Sequence, residues 1–172
     1  MTVAAAACGG VRDSAFAWLV PTPAPPGWAT ASIPSGARLA YPSAWRRLVS
    51  DRGAASAGLT AADGRLLGYL NITPRQGGET VADWPSFRIA HNAREGDRDV
   101  RRLAAAKGLR FRGGSGSCVK DSYTTRIGAR YVEIACLVAA STRATVIVAA
   151  APPAAWSRES RVLERAIMAF RA

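Results

Sequence analysis

Apolar and polar positions follow two rhythms along this chain. The first is that of strands. Ala37, Leu39 and Tyr41 alternate with Arg38 and Ala40 and stop at Pro42, the pattern of a half-buried strand. Residues 57–61 and 65–73 read as a hairpin, and Asp63-Gly64 between them predicts a type I′ turn. In its second strand Leu66, Gly68, Leu70 and Ile72 share one face and Leu67, Tyr69 and Asn71 the other. Both faces are largely apolar, which predicts a strand covered on both sides. Asp83 then caps a helix with Pro85 in its first turn, where a missing N–H is harmless. Trp84, Phe87, His91 and Arg94 fall on one face of that helix, with Ile89 and Ala90 beside it. Asp97 or Asp99 opens a second, short helix through Lys107, closed by Gly108 as its C′ residue. Residues 109–112 are extended and residues 113–117 a flexible loop. A second hairpin follows over residues 118–139, then an apolar buried strand over 144–150 that Pro152-Pro153 ends. Val162, Leu163, Ala166, Ile167 and Phe170 mark one stripe of an amphipathic C-terminal helix packed on the sheet.

The turn of the second hairpin fixes its register. Arg126-Ile127-Gly128 makes a three-residue loop with Gly128 left-handed, a type I turn with a G1 bulge. Thr125 then faces Ala129, and by the same count Cys118 faces Cys136 at a non-hydrogen-bonded site, about 4.5 Å apart at Cα. That separation suits a disulfide; two reduced core cysteines are the other reading. Metal binding is not expected, because the spacing is not CxxC and His91 is the only histidine.

The 172 residues are enough for one domain with a core of its own. The apolar run over 144–156 is too short to span a bilayer. The net charge is +11, with 21 Arg against two Lys, Lys107 and Lys120. That ratio resembles the codon bias of a high-GC genome, and the excess charge predicts attraction to polyanions or simply a soluble surface. Eight cations and three acids fall between Arg88 and Arg112. Arg94, Arg98, Arg101 and Arg102 would lie on neighbouring helical turns as a candidate anion-binding patch, the other reading being a solvated helix face. Nucleic acid is disfavoured, since no reader motif or interleaved aromatic is present.

Residues 3–10, Val-Ala-Ala-Ala-Ala-Cys-Gly-Gly, look like the end of a bacterial lipoprotein signal peptide, with Cys8 as the lipidated residue. Only seven residues precede Cys8 and none is basic, so the rest of the signal is expected upstream. Export agrees with a disulfide. Residues 1–8 are thus read as a signal remnant, 9–36 as a Pro-rich tether, and 37–172 as one domain. Phe16, Trp18, Leu19 and Trp28 are apolar for a linker, and some of them are expected to dock on the domain.

Catalytic signals are weak. There is no GxSxG, HExxH or P-loop. Residues 113–117 lack a following GK[ST] and precede a strand. His91 sits on an aromatic helix face without a nucleophile or orienting partner. Asp121 and Glu133 face each other in the hairpin register; such a pair raises one pKa and can act as acid and base, or it is solvated or neutralised by a neighbouring cation.

The order of elements resembles the PsbP-like fold, shared with Mog-type Ran-binding proteins and many bacterial lipoproteins. Four segments carry the resemblance: Leu39-Ala40-Tyr41-Pro42-Ser43-Ala44-Trp45, Gly68-Tyr69-Leu70-Asn71-Ile72-Thr73-Pro74, Gly114-Ser115-Gly116-Ser117-Cys118-Val119, and the stretch from Ala151-Pro152 through Trp156 to Phe170. The chain is similar in particular to uncharacterised lipoproteins of high-GC Gram-positive bacteria. The resemblance implies an α+β domain, an antiparallel β-sheet of about six to seven strands flanked by helices in an α/β/α sandwich. It implies a binding or assembly role with no shared catalytic residues and no cofactor. The expected protein is therefore a non-enzymatic, extracytoplasmic module anchored by lipid to the cell membrane. Its expected partners are an anionic lipid or wall polymer, or a further envelope protein. A small envelope hydrolase acting on lipid or wall material is the alternative.

Overall fold

The computed structural model describes residues 14–172; Cys8 and the signal remnant expected over 1–8 lie outside the described residues. After a single 3-10 turn, Ser14–Phe16, come β1 (Ala29–Ser32), β2 (Arg38–Tyr41), β3 (Arg46–Leu48), β4 (Ala55–Thr60), β5 (Leu66–Pro74), α1 (Trp84–Arg94), β6 (Arg98–Phe111), β7 (Gly114–Thr124), β8 (Arg130–Ala139), β9 (Ala144–Ala151) and α2 (Pro153–Ala169). Seven strands form one antiparallel sheet in the order β3-β4-β5-β9-β8-β7-β6, and β1 and β2 pair as a separate hairpin. With a helix on each face, this is the α+β sandwich expected.

Alternation along the strands sorts the core into two layers. On one face Leu70, Ile72, Cys118, Ile134, Cys136, Ile147 and Ala149 pack with Leu163, Ala166, Ile167 and Phe170 of the C-terminal helix stripe. On the other, Val119, Ala135, Leu137, Val146 and Val148 meet Trp84, with Phe87 and Ile89 at the margin. α2 lies across β9, β5, β8 and β2, whereas α1 lies mainly over β6, β7 and β8 and touches β9 through Trp84. The second face of β4 and β5 is therefore partly open, and Tyr69 and Asn71 stay half-buried where the sequence predicts a covered strand. There Asn71 donates through Nδ2 to Oγ of Ser56 at 2.8 Å.

The cysteine hairpin has the expected register. The Thr125 N–H donates to the Ala129 carbonyl at 2.8 Å, Gly128 has φ 86°, and Cys118 faces Cys136. The two are disulfide-bonded, with Cα atoms 4.1 Å apart. The first hairpin departs from expectation. The Ala61 N–H donates to the Arg65 carbonyl and only Gly64 of the loop has positive φ, so it is the same three-residue bulged turn and not type I′.

Three other expectations are corrected. The helix over 97–107 is absent, and Arg98–Phe111 form the long edge strand β6. Its register shifts three times, with Asp99 at φ 54° and Gly108 at φ 67°, so bulges hide the period-two alternation that marks a strand. Residues 114–117 are not a flexible loop but the start of β7, and Ser117 is fully buried. A side chain at Gly114 or Gly116 would run into the carbonyl of Ala139 or Leu137, so these glycines serve close strand approach. Nor are residues 14–36 a free tether. Phe16, Leu19, Ala31 and Ile33 are buried in the core, and the Thr22 N–H donates to the Met168 carbonyl at 3.1 Å. A proline-rich segment is extended, and an extended chain studded with apolar residues lies down on a surface as readily as it crosses solvent.

Candidate anion-binding site and the buried cluster behind it

Cross-strand partners in an antiparallel sheet share a face. Arg98 pairs with Thr124, Thr124 with Arg130, and Arg101 with Ser122. Lys120, of the same parity in β7, has its ammonium 4.8 Å above the ring of Trp156 on α2, which fixes this as the α2 face. Arg98, Arg101 and Arg130 therefore stand on one face around two hydroxyls. A cleft of about 440 Å³ opens there at the strand ends, lined by Arg101, Arg130, Ser122, Thr124 and Asp99, by Tyr123 and Tyr131 of the other parity and, at the start of α2, by Pro153. Asp99 accepts a 3.4 Å hydrogen bond from Oγ1 of Thr124. Among the described residues no carboxylate lies within ion-pair distance of Arg98, Arg101 or Arg130.

The four arginines expected to form one patch are divided. Arg101 lines this cleft, and Arg98, paired with Thr124, stands on the same face beside it. Arg102 pairs with Asp121 and so belongs to the opposite face. Arg94 lies on α1, its guanidinium carbon 5.6 Å from the centre of the Phe87 ring and its Nε donating to the Ala90 carbonyl at 3.3 Å. The patch fails because the segment is a strand, in which successive residues point apart. Arg130 was missed, although the hairpin register that pairs the cysteines also sets it opposite Thr124.

Behind the cleft, on the α1 face, lies the densest set of ionisable groups. Asp121 and Glu133 face each other as expected, and both are buried, at 0% and 1% exposure. They are not solvated. Arg88 grips Glu133 with two bonds, Nε to Oε1 at 2.7 Å and Nη2 to Oε2 at 2.9 Å. The Tyr123 hydroxyl donates to the same Oε2 at 3.1 Å. Asn92 approaches Oδ2 of Asp121 at 3.5 Å, while Oδ1 has no partner. Burial, and then the charge of Glu133, push the Asp121 carboxyl up to about 8, with Arg88 opposing them. Asp121 is thus mainly protonated at neutral pH, beside an ionised pair. Burial and Glu133 likewise raise the Tyr123 phenol. Burial alone would lower Arg88; the charge and hydrogen bonds of Glu133 outweigh it and hold the guanidinium above its ordinary range.

Trp84 completes the attachment, its indole N–H donating to the Ala135 carbonyl at 2.9 Å. Trp84, Arg88 and Asn92 are spaced four apart, so the stripe of α1 that meets the sheet is this one. Phe87 and His91 are displaced to its flank, half-buried and stacked 5.9 Å apart. In the sequence Arg88 is one cation of a basic stretch, and nothing near it marks a partner that lies 45 positions away. Among the described residues no group of three or more His, Cys, Asp or Glu is placed to hold a metal ion, and no helix is long and apolar enough to cross a membrane.

No protein-family model matches this sequence, and no curated protein matches it. Solved structures do. The chain is similar to cyanobacterial PsbP (CyanoP) from Synechocystis sp. PCC 6803, at 13% identity and TM-score 0.62, over 97% of this chain and 98% of that one. It is also similar to PA94, a protein of unknown function from Pseudomonas aeruginosa, at 14% identity and TM-score 0.54, covering 82% and 94% of the two chains. A third likeness is to LpqN, involved in cell envelope biogenesis of Mycobacterium tuberculosis, at 15% identity and TM-score 0.51, covering 84% and 89%. The fold is therefore PsbP-like. At these identities the likeness speaks for the fold alone.

Proposed function

We propose that this protein is a non-enzymatic module of the cell envelope, anchored through Cys8, which holds an anionic group of a lipid headgroup or wall polymer in the arginine cleft. The observation that carries the reading is the convergence of Arg98, Arg101 and Arg130 on one face around the hydroxyls of Ser122 and Thr124. Guanidinium groups offer paired donors to phosphate and carboxylate oxygens, and hydroxyls add more. The disulfide and the likeness to an envelope-biogenesis protein support an extracytoplasmic setting. A hydrolase needs acid, base and nucleophile converging on an open cleft. Asp121 and Glu133, which face each other across the hairpin, are instead buried beneath α1, which supports the binding reading over the hydrolytic one.

Vesicles with and without anionic lipid test this. Arg98→Gln/Arg101→Gln/Arg130→Gln should lose about two orders of magnitude in affinity, since each arginine near a charged surface contributes about 1 kcal/mol. Arg47→Gln/Arg52→Gln/Arg75→Gln removes equal charge elsewhere and should lose far less. Equal losses in both sets would reduce the effect to net charge and end the site. Competition by inorganic phosphate in place of vesicles separates a headgroup contact from surface attraction.

A further inference from the structure

A second cleft, of about 250 Å³, opens on the opposite face of the sheet, between α1 and the segment that follows β5. Trp84, Phe87 and His91 form one wall. Phe87 stacks on Trp84 at 5.9 Å with 22° between planes, and on His91 at 5.9 Å with 13°. Gln76, Gly77 and Glu79 form the other wall. Glu79 is only 6% exposed. Its Oε1 accepts the Gln76 N–H at 2.9 Å, but its Oε2 is buried and meets no donor. A Cβ at position 77 would stand 3.0 Å from that oxygen, so Gly77 leaves it room that any side chain would take. An unpartnered buried acceptor is costly and is uncommon in native proteins unless something fills the place.

We propose that this cleft binds a neutral polyhydroxylated ring, a single sugar unit. One ring hydroxyl, admitted by a shift of the exposed Gly77, donates to Oε2 of Glu79, and the C–H face of the ring lies along Phe87 and His91. Size limits the ligand to one ring, because the cleft is smaller than the roughly 300 Å³ at which ordinary small-molecule pockets begin. Charge selects a neutral one. Arg94, which has no carboxylate partner among the described residues, sits over Phe87, so an ammonium ligand meets its guanidinium on the way in. The Glu79 carboxylate opposes an anion. The Gln76 amide and the His91 imidazole supply further donors and acceptors at the rim. The site shares no residue with the arginine cleft and does not depend on it.

The full chain, labelled with 15N, is titrated with the methyl glycosides of glucose, galactose and mannose. The signals followed are the Trp84 indole N–H and the backbone amides of residues 73–91. Saturable shifts confined to that segment are expected for at least one glycoside. Glu79→Gln should weaken that binding about tenfold or more, because it presents an amide where the hydroxyl needs a carboxylate. Phe87→Ala should weaken it as well, and provides the reading if Glu79→Gln does not fold. The triple glutamine variant of Arg98, Arg101 and Arg130 should bind the sugar as the parent does, whatever it does to anion binding. Absence of saturable shifts with all three glycosides overturns the proposal. So does unchanged affinity in the folded variants, or benzylamine occupying the cleft in preference to the sugars.

Discussion

Replacing Asp121 by Asn should flatten the dependence of stability on pH between about 4 and 8, and should stabilise the protein at the upper end. In the folded chain the Asp121 carboxyl titrates at about 8, because it is buried and faces Glu133; in the unfolded chain it returns to an ordinary 3.8. Between those values the folded state holds a proton that the unfolded state has lost. The unfolded state therefore binds fewer protons, and stability falls as pH rises, by about 1.4 kcal/mol per unit for one such group. Below the unfolded value there is no penalty, and above the folded value it levels off at a ceiling of about 5–6 kcal/mol. Asp97 acts in the same sense, its carboxyl raised first by burial and then by Glu133. Exposed Asp63 acts in the opposite sense, lowered by its hydrogen bonds to Arg65. Asparagine has the shape of the protonated acid and does not ionise. Urea unfolding of both proteins at pH 5 and pH 8 measures the effect. The parent should lose a few kcal/mol over that interval and the variant much less, ending above the parent at pH 8. A parent whose stability is level or rises over the interval would refute the reasoning, as would a variant that keeps the parental slope.

Arg88→Met should cost about 3–5 kcal/mol in the same assay, since it strands Glu133 as an unpaired buried charge, and Arg88→Met/Glu133→Gln should recover part of the loss. A loss below about 1 kcal/mol would mean that the pair is not buried in solution. Unlipidated protein folded under oxidising conditions should show a single titratable thiol, Cys8, before and after denaturation without reductant, and Cys118→Ala/Cys136→Ala should lower stability by about 2–4 kcal/mol.

What could be read from the sequence was local. A glycine-bearing turn counts off a hairpin residue by residue, so the cysteine pairing and the Asp121–Glu133 pairing followed from Gly128 alone. The α2 stripe was equally legible, since its apolar residues repeat within one helix. What was illegible depended on distant partners or on interrupted periods. Bulges broke the alternation of β6, and its run of charges then imitated a solvated helix. In residues 14–36 the apolar Phe16 and Leu19 marked a docking segment within a linker-like composition, but where they dock, against β6 and α2, depended on elements far along the chain. The polar stripe Trp84-Arg88-Asn92 was passed over for the more apolar one beside it, because its partners on β7 and β8 come later in the chain.

The two helices are attached to the sheet by different physics. α2 buries a full apolar stripe, and such contacts are strong but tolerate small rotations and slides. α1 is eleven residues long, and its polar contacts with the sheet come from a tryptophan, an arginine and an asparagine. Each makes a directional bond to a different atom of the sheet, and together these bonds determine how the helix is turned about its axis. A forked guanidinium–carboxylate pair accepts only a narrow set of orientations. Buried ion pairs add little net stability over apolar packing of equal volume, so stability alone does not account for one here. Orientation does. The rotation that seats Arg88 on Glu133 also sets the Phe87 and His91 rings against the open half of the sheet, opposite Glu79. On the same strands, the bond from Tyr123 to Glu133 pins the part of β7 whose next residues toward either end, Ser122 and Thr124, floor the arginine cleft. One buried cluster thereby holds walls of both clefts in place.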